Sequence, residues 1–389
     1  MGMIKLKQMM DNKFKDDTGL AVRAAKIKGI NQPQKLYKFV SGETKEIDNL
    51  DAMLELVEFL FPNNHEEVFT EYCNDLDPNN QFIRDAVEYA SLFEKSKMLD
   101  VLVKRLKTST NSKGKEWYGV YELSLKSNTF SSDDISSQIE ELSPKSKEMK
   151  FLSNMLLVKA YIRETKFELA DDKLKTILRY ENEIKKGYIK DSFTKRLNTT
   201  KVSLALRQGD QKATEKMGEQ ALLVHKLCPS DVYVLMDMGN AYIMHDYDIA
   251  MGYFDRALKL ANDFNDQVRM IQVKNSIDFC MCYWKKHQYN NDTHPEEDYS
   301  DYNAAFYYLS VGNREAAARC LDSLEEKNAD NIDMAFYYFY KGLLTNERKY
   351  HVKSVVHFKN ARDKHYRKMP IIELEKLGEE DFMIEALLA

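Results

Sequence analysis

Turn-forming residues are scarce in this chain of 389, with Gly present 14 times and Pro 7 times. Leu, Lys, Glu, Met and Ala are plentiful instead, a balance that favours helix almost throughout. No stretch alternates apolar and polar residues with β-branched enrichment, so no sheet is expected. The five cysteines, Cys73, Cys228, Cys280, Cys282 and Cys320, are odd in number, scattered and without a CxxC pair. Neither a zinc cage nor a disulfide framework is implied, and they read as buried thiols of a reducing compartment. No apolar run approaches the roughly 18 residues of a membrane span. The opening MGMIKLKQMMDNKF is broken by Lys and Asp before a signal-peptide core can form. The expected location is therefore cytosolic.

Catalytic signatures are missing as well. His65-Glu66 has no second His four residues on, and no phosphate loop, GxSxG or dinucleotide fingerprint occurs. Residues 290–301 are acidic but lack the Gly and terminal Glu of a calcium loop. Carboxylate pairs carry no weight in a chain with 62 acids. No enzyme activity, metal or cofactor is expected.

What is present begins with an uneven charge. The net charge is -5, yet residues 1–45 carry +6, from nine Lys and Arg23 against Asp11, Asp16, Asp17 and Glu43. A basic head on an acidic body suits a polyanion at the head only, with a solvated basic terminus as the plain alternative. Leu20, Ala21, Ala24, Ala25 and Ile27 form an apolar stripe at helical spacing that ends at Gly29. Asn31 can cap a second helix, and Pro33 suits its first turn. Leu36, Tyr37, Phe39 and Val40 are its expected buried face, and Ser41-Gly42 closes it. Two short helices with Ala25 and Gly29 four apart describe a helix-turn-helix, with a plain helical hairpin as the alternative. In such a head Gln32, Gln34, Lys35 and Lys38 would face the groove of a double helix, beside Asn31. Gln suits adenine edges, and Lys suits guanine or phosphate. Lys26 and Lys28 are expected on phosphates.

Residues 46–150 read as further helices without a chemical motif, broken at Pro62, at Asp77-Pro78-Asn79 and over 108–115. From about residue 150 the chain repeats. Gly239-Asn240-Ala241-Tyr242, then Asp246-Tyr247-Asp248, then Ala250, Phe254 and Ala257, follow the small-residue, turn and Ala-x-x-x-Phe logic of a TPR. Related units start around Ala160-Tyr161, Gly209-Asp210, Gly312-Asn313 and Gly342. The second-helix markers Ala170, Ala213, Ala250, Ala316 and Ser354 leave one long interval of 66. That gap has room for a degenerate pair at 268–288 and the acidic loop 289–301. Ile371 to Leu388 reads as a terminal apolar helix, a cap or a dimer contact.

The expected fold is therefore all-α: a helix-turn-helix over 1–45, degenerate helical repeats over 46–150, and a TPR-like right-handed solenoid over 151–389. Such a solenoid offers a concave face. Tyr233, Asp237 and Asn240 fall at i, i+4 and i+7 on one helix face. The Asn240 amide can bond both the N–H and the C=O of an extended peptide. Asp237 can pair with a cation. For both, plain solvent exposure is the competing reading. The aromatic runs 306–308 and 336–340 are too dense to be all core, so Tyr337 is a candidate pocket residue, with core packing as the default.

At this point the residues resemble a family, the arbitrium receptors (AimR) of Bacillus temperate phages. Markers run along nearly the whole chain: Leu36-Tyr37-Lys38-Phe39, Phe61-Pro62, Val87-Glu88-Tyr89, Gly119-Val120-Tyr121, Gly239-Asn240, Trp284-Lys285-Lys286, Asp363-Lys364, and the stretch from Pro370 to Gly378. The resemblance implies a homodimeric transcription regulator in the bacterial host cytosol. It would bind a double-stranded DNA operator and hold a short signalling peptide in its groove, and peptide binding would turn activation off and favour lysogeny. By motif match Asn240 and Asp363 would contact the peptide, Asp363 through an Arg side chain. Pro229 stands where an Arg is expected, and Ser203 or Arg207 would substitute for it. The alternative is a Rap-type TPR regulator that acts on a response-regulator protein without DNA.

Overall fold

The computed structural model describes residues 2–44, 47, 49–287, 301–325 and 330–388, and among them every regular element is helical, with no strand. The chain divides into two compact units, Met1–Phe193 and Thr194–Ala389, with the boundary inside one helix.

Unit 1 opens with α1 (Gly2–Asp16), α2 (Leu20–Ala24) and α3 (Pro33–Ser41). Helix α1 buries Leu6, Met10 and Phe14, spaced four apart, so they line one face. It is pinned at its start, where the Met3 amide donates to Asp75 at 2.8 Å and Lys5 pairs with Glu71 at 2.7 Å. The expected pair of short helices follows, with three corrections. Helix α2 is only five residues long, because the chain turns from Ala25 onward. Asn31 does not cap α3. It lies in the left-handed region at φ 62, and Gln32 holds the cap position without a side-chain bond. Tyr37 is exposed, its ring edge-on to Phe14, so Leu36 and Phe39 alone are fully buried on α3. Pro33 and Gly42 (φ 87) sit where a helix start and stop need them.

Helices α4 (Leu50–Leu60), α5 (His65–Cys73), α6 (Gln81–Leu92), α7 (Ser96–Leu106), α8 (Ser112–Lys126), α9 (Ser132–Leu142), α10 (Lys147–Arg163) and α11 (Phe167–Glu183) complete unit 1, with the start of α12 (Tyr188–Arg207). A buried acid stands in this core. Glu88 of α6 is fully buried and accepts the Tyr121 and Ser192 hydroxyls.

Unit 2 continues with α13 (Gln211–Leu223), α14 (Asp231–Tyr242), α15 (Tyr247–Asp263), α16 (Gln267–Tyr283), α17 (Asp301–Ser310), α18 (Arg314–Glu325), α19 (Asn331–Thr345), α20 (Arg348–Asn360), α21 (Lys368–Lys376) and α22 (Asp381–Leu388). This unit is a solenoid-like run of helical hairpins. The turn residues act as caps: Asp210, Asp246 and Asp266 accept from Ala213, Ile249 and Arg269 amides at 2.9–3.0 Å. Asn313 does the same for Ala316 at 3.1 Å. The small residues mark the closest helix approaches. A Cβ on Gly239 would lie 2.5 Å from the Phe254 ring, and one on Gly342 would lie 2.6 Å from His351.

Two expectations are corrected here. Residues 268–283 belong to one long helix, α16, which packs with α17, rather than to a helix pair. Of the acidic loop, residues 289–300 lie outside the described residues. The terminal apolar stretch is two helices, because Gly378 takes φ 73 and ends α21.

The Gly239 approach predicts a stability result. Gly239→Ala is expected to cost about 1–3 kcal/mol by overpacking against Phe254. Gly252→Ala, in the open on α15, is expected to gain about 0.5–1 kcal/mol. Urea-unfolding midpoints of the two variants check both signs.

Candidate functional site

Two surfaces emerge, one on each unit. In the head, half of the basic residues are engaged within the fold. Lys5 pairs with Glu71, Lys15 with Asp11 and Arg23 with Asp17. Lys7 donates to the Thr44 carbonyl and lies 4.7 Å above the Phe39 ring, and Lys13 lies 5.2 Å above Phe61. The sequence-derived set is different. Lys26, Lys28, Asn31, Gln32, Gln34, Lys35 and Lys38 are all exposed, clustered on the turn and the outer face of α3. Among the described residues Lys26, Lys28 and Lys38 meet no carboxylate, and Lys35 makes only a 3.4 Å approach to the Gly29 carbonyl. The turn depends on Gly29, which at φ 104 takes a conformation costly to any side chain.

In unit 2, five of the seven other candidates converge. Ser203 and Arg207 come from the last turns of α12, Asp237 and Asn240 from α14, and Asp363 from the loop after α20. The Ser203 hydroxyl donates to Asp237 and the Arg207 charge lies near it, yet burial dominates and pushes the Asp237 carboxyl up to about 7. Asp363 is nearly enclosed, its side chain 5% exposed. Burial raises its pKa, against the Tyr366 and His365 amides and the Arg207 charge. Its Oδ1 accepts from the Tyr366 amide at 2.8 Å, and its Oδ2 stands 3.8 Å from Arg207 Nη1.

The chain just after Asp363 is tied to the end of α12 at two backbone carbonyls. Lys364 N–H donates to the Arg207 carbonyl at 2.8 Å, and Lys368 Nζ to the Gly209 carbonyl at 2.9 Å. Gly209, at φ 72, lets this happen, since a Cβ there would press on Lys364 and Lys368 at 3.2–3.3 Å.

Tyr233 and Tyr337 are not part of the cluster. Tyr233 engages α16, with its hydroxyl on Gln272 at 3.0 Å and Arg269 stacked 4.7 Å over its ring. Tyr337 is corrected to a core residue. It is 2% exposed among Phe306, Phe339 and Tyr340, and its hydroxyl accepts from Lys341 at 2.7 Å. The aromatic run is dense because it fills a hairpin core, not because it lines a pocket.

Sequence reasoning missed two contributors. His365 is 3% exposed, its ring bonds the Asn240 backbone carbonyl, and its Nε2 has no partner. Burial and then the Lys368 charge push it down to about 3, so it is neutral. Its position next to Asp363-Lys364 was the available signal. The second is a fully buried ion pair, Lys195 Nζ to Asp231 Oδ2 at 2.7 Å. Lys195 also donates to the Ala221 carbonyl, and Asp231 accepts from the Cys228 amide, both at 2.8 Å. This pair pins α12 to the start of α14, the two helices that carry four of the five converging residues. Nothing in a Lys amid a polar helix sequence announces it.

The arrangement offers paired carboxylates, a resident guanidinium and an amide, which is recognition chemistry. No cluster among the described residues can hold a metal ion. The cysteines are unbridged, and burial pushes the Cys280 and Cys282 thiols up to about 12, so they are not nucleophiles. Among the described residues no helix is long and apolar enough to cross a membrane.

Known proteins resemble this chain over nearly its whole length. A family model described as AimR transcriptional regulator-like matches residues 65–376. The AimR transcriptional regulator of Bacillus phage phi3T is 31% identical over 384 residues, covering 95% of this chain and 97% of its own. The solved structure of selenomethionine-labelled phAimR superposes with a TM-score of 0.80 at 30% identity, covering 98% of this chain and 99% of that one. A structure of phAimR with its ligand gives a TM-score of 0.70 at 29% identity, covering 85% and 97%.

The environment of Asp237 generates a pH prediction. A carboxyl whose pKa is raised to about 7 on folding contributes stability that is present below about pH 4 and lost as the pH rises toward 7. Above that value the profile levels off. Asp237→Asn is expected to flatten this stretch, measured as denaturant midpoints between about pH 4 and 8. Parallel profiles for the two proteins would assign the slope to other groups.

Proposed function

The chain belongs to the AimR transcriptional regulator-like family, and on that footing we propose that it is a peptide-responsive, DNA-binding transcription regulator of a temperate phage. In this reading a short extended peptide occupies the unit 2 cleft. The observation that carries it is the convergence of Ser203, Arg207, Asp237, Asn240 and Asp363 on one spot. The Asn240 amide clamps the peptide backbone, and the two acids receive a cationic side chain. No residue is assigned a catalytic role.

The head supplies the DNA contacts. Lys26 and Lys28 hold phosphates and set the register, while Asn31, Gln32, Gln34, Lys35 and Lys38 read or flank base edges. A homodimer presents two such heads to two half-sites. The peptide acts by differential affinity for two conformations, and a bias of about 1–3 kcal/mol changes operator occupancy roughly 5- to 150-fold. Peptide binding in the host cytosol turns activation off and favours lysogeny over lysis.

Gel shifts over fragments around the protein's own gene, with and without synthetic peptides from the neighbouring reading frame, test the two halves. Gln34→Ala/Lys35→Ala is expected to weaken operator binding while peptide affinity stays. Asn240→Ala is expected to weaken peptide binding, read by calorimetry, with operator binding kept. Full operator affinity in the head variant would move the recognition surface elsewhere, and no specific band in any salt would favour a regulator that acts on a protein.

A further inference from the structure

The α19–α20 hairpin breaks the acidic character of the body. Residues 341–364 carry +5, from seven Lys and Arg against Glu347 and Asp363, in a chain whose net charge is -5. Three of these cations gather on one aromatic ring. The Nζ atoms of Lys349, Lys341 and Lys353 lie 4.8, 5.4 and 5.9 Å from the centre of the Tyr350 ring. Lys353 Nζ also lies 4.9 Å from the centre of the Tyr338 ring. Glu347 pairs with Lys349 at 2.5 Å, but among the described residues Lys353 meets no carboxylate. Three ammonium groups about one ring repel one another, so the face is set to receive negative charge.

The rings extend the pattern. Tyr338 and Tyr350 lie 12° from parallel with centres 6.3 Å apart, and Tyr338 stacks on His357 at 5.4 Å and 23°. All three are half-buried, so each keeps part of its surface in water. On α20, Lys349, Lys353 and His357 follow at four-residue steps on one face, about 6 Å apart along the axis. A row of cations beside a column of rings suits a string of phosphates joined to planar bases. A small anion would use the cations alone, and an acidic peptide would leave the rings idle.

We propose that the exposed face of the α19–α20 hairpin binds single-stranded nucleic acid, with Lys349 and Lys353 on phosphates and Tyr350 under a base. On binding, the ammonium groups pass from ring to phosphate, and a base takes the ring face they leave. The surface belongs to unit 2 and depends neither on the DNA contacts of the head nor on the cleft around Asn240.

The test titrates full-length protein with a labelled oligothymidylate of about twenty nucleotides, long enough for one binding face, and reads anisotropy over a salt series. Lys349→Gln/Lys353→Gln is expected to bind about tenfold more weakly. Its slope of log affinity against log salt is expected to shrink by about 1.4, the share of two phosphate contacts on a single strand. Tyr350→Leu is expected to lose about fivefold or more at an unchanged slope, and Tyr350→Phe to bind as wild type. Lys349 and Lys353 are exposed, so their double variant keeps the fold even if Tyr350→Leu does not. The same strand paired with oligodeoxyadenylate is expected to be insensitive to Tyr350→Leu, since its base faces are already stacked. Wild-type affinity in the lysine variant, or no saturable binding by wild type, overturns the proposal. Equal loss on the duplex in Tyr350→Leu overturns it too. So does displacement of the strand by polyglutamate or inorganic triphosphate at matched charge, which would make the face an acidic-peptide or small-anion surface.

Discussion

The architecture of unit 2 depends on one closure, the attachment of the loop between α20 and α21 to the end of α12. The Lys368–Gly209 bond spans 159 residues of sequence, and the Lys364–Arg207 backbone bond lies beside it. Solenoids are stabilised chiefly by neighbour-to-neighbour packing, so a link between distant repeats is not required for the fold. Here it brings an acid from the last hairpins within reach of groups on the first. Without it Asp363 would stand apart from Arg207, and the cleft would lose one of its two carboxylates.

A second constraint sets the floor of that cleft. The Lys195–Asp231 pair is completely enclosed and close, with further bonds to the Ala221 carbonyl and the Cys228 amide. Such a pair adds little stability compared with a well-packed apolar substitute, but removing one partner leaves an uncompensated charge. Its effect is geometric. It fixes how α12 lies along α14, and with that the offset between Ser203 and Arg207 on one helix and Asp237 and Asn240 on the other.

The helices were legible because they rest on local rules. Apolar spacing gave α4 to α7, and capping residues such as Asp246 and Asn313 stand at the starts that the repeat pattern implied. The all-α class and the hairpin logic around Gly239 followed from the same short-range signals. Asp237 and Asn240 were readable as neighbours on a helix face. The role of Asp363 came from family resemblance, because no local pattern carries a contact across some 150 residues. Tyr337 was misplaced because an aromatic run looks the same whether it fills a hairpin or lines a groove. Asn31 was misread as a cap because the left-handed turn at Gly29 and Asn31 shifts the helix start by one residue. His365 had only its place beside Asp363-Lys364 to mark it, and Lys195 had no signal at all, because burial gives both their character.

The cysteines carry a practical consequence. Four of the five are buried, and only Cys320 on α18 has a partly open side chain. Within the folded chain a maleimide is therefore expected to react at Cys320 ahead of the four enclosed cysteines. In a pair of chains the same atom would provide one matched distance, measurable by energy transfer.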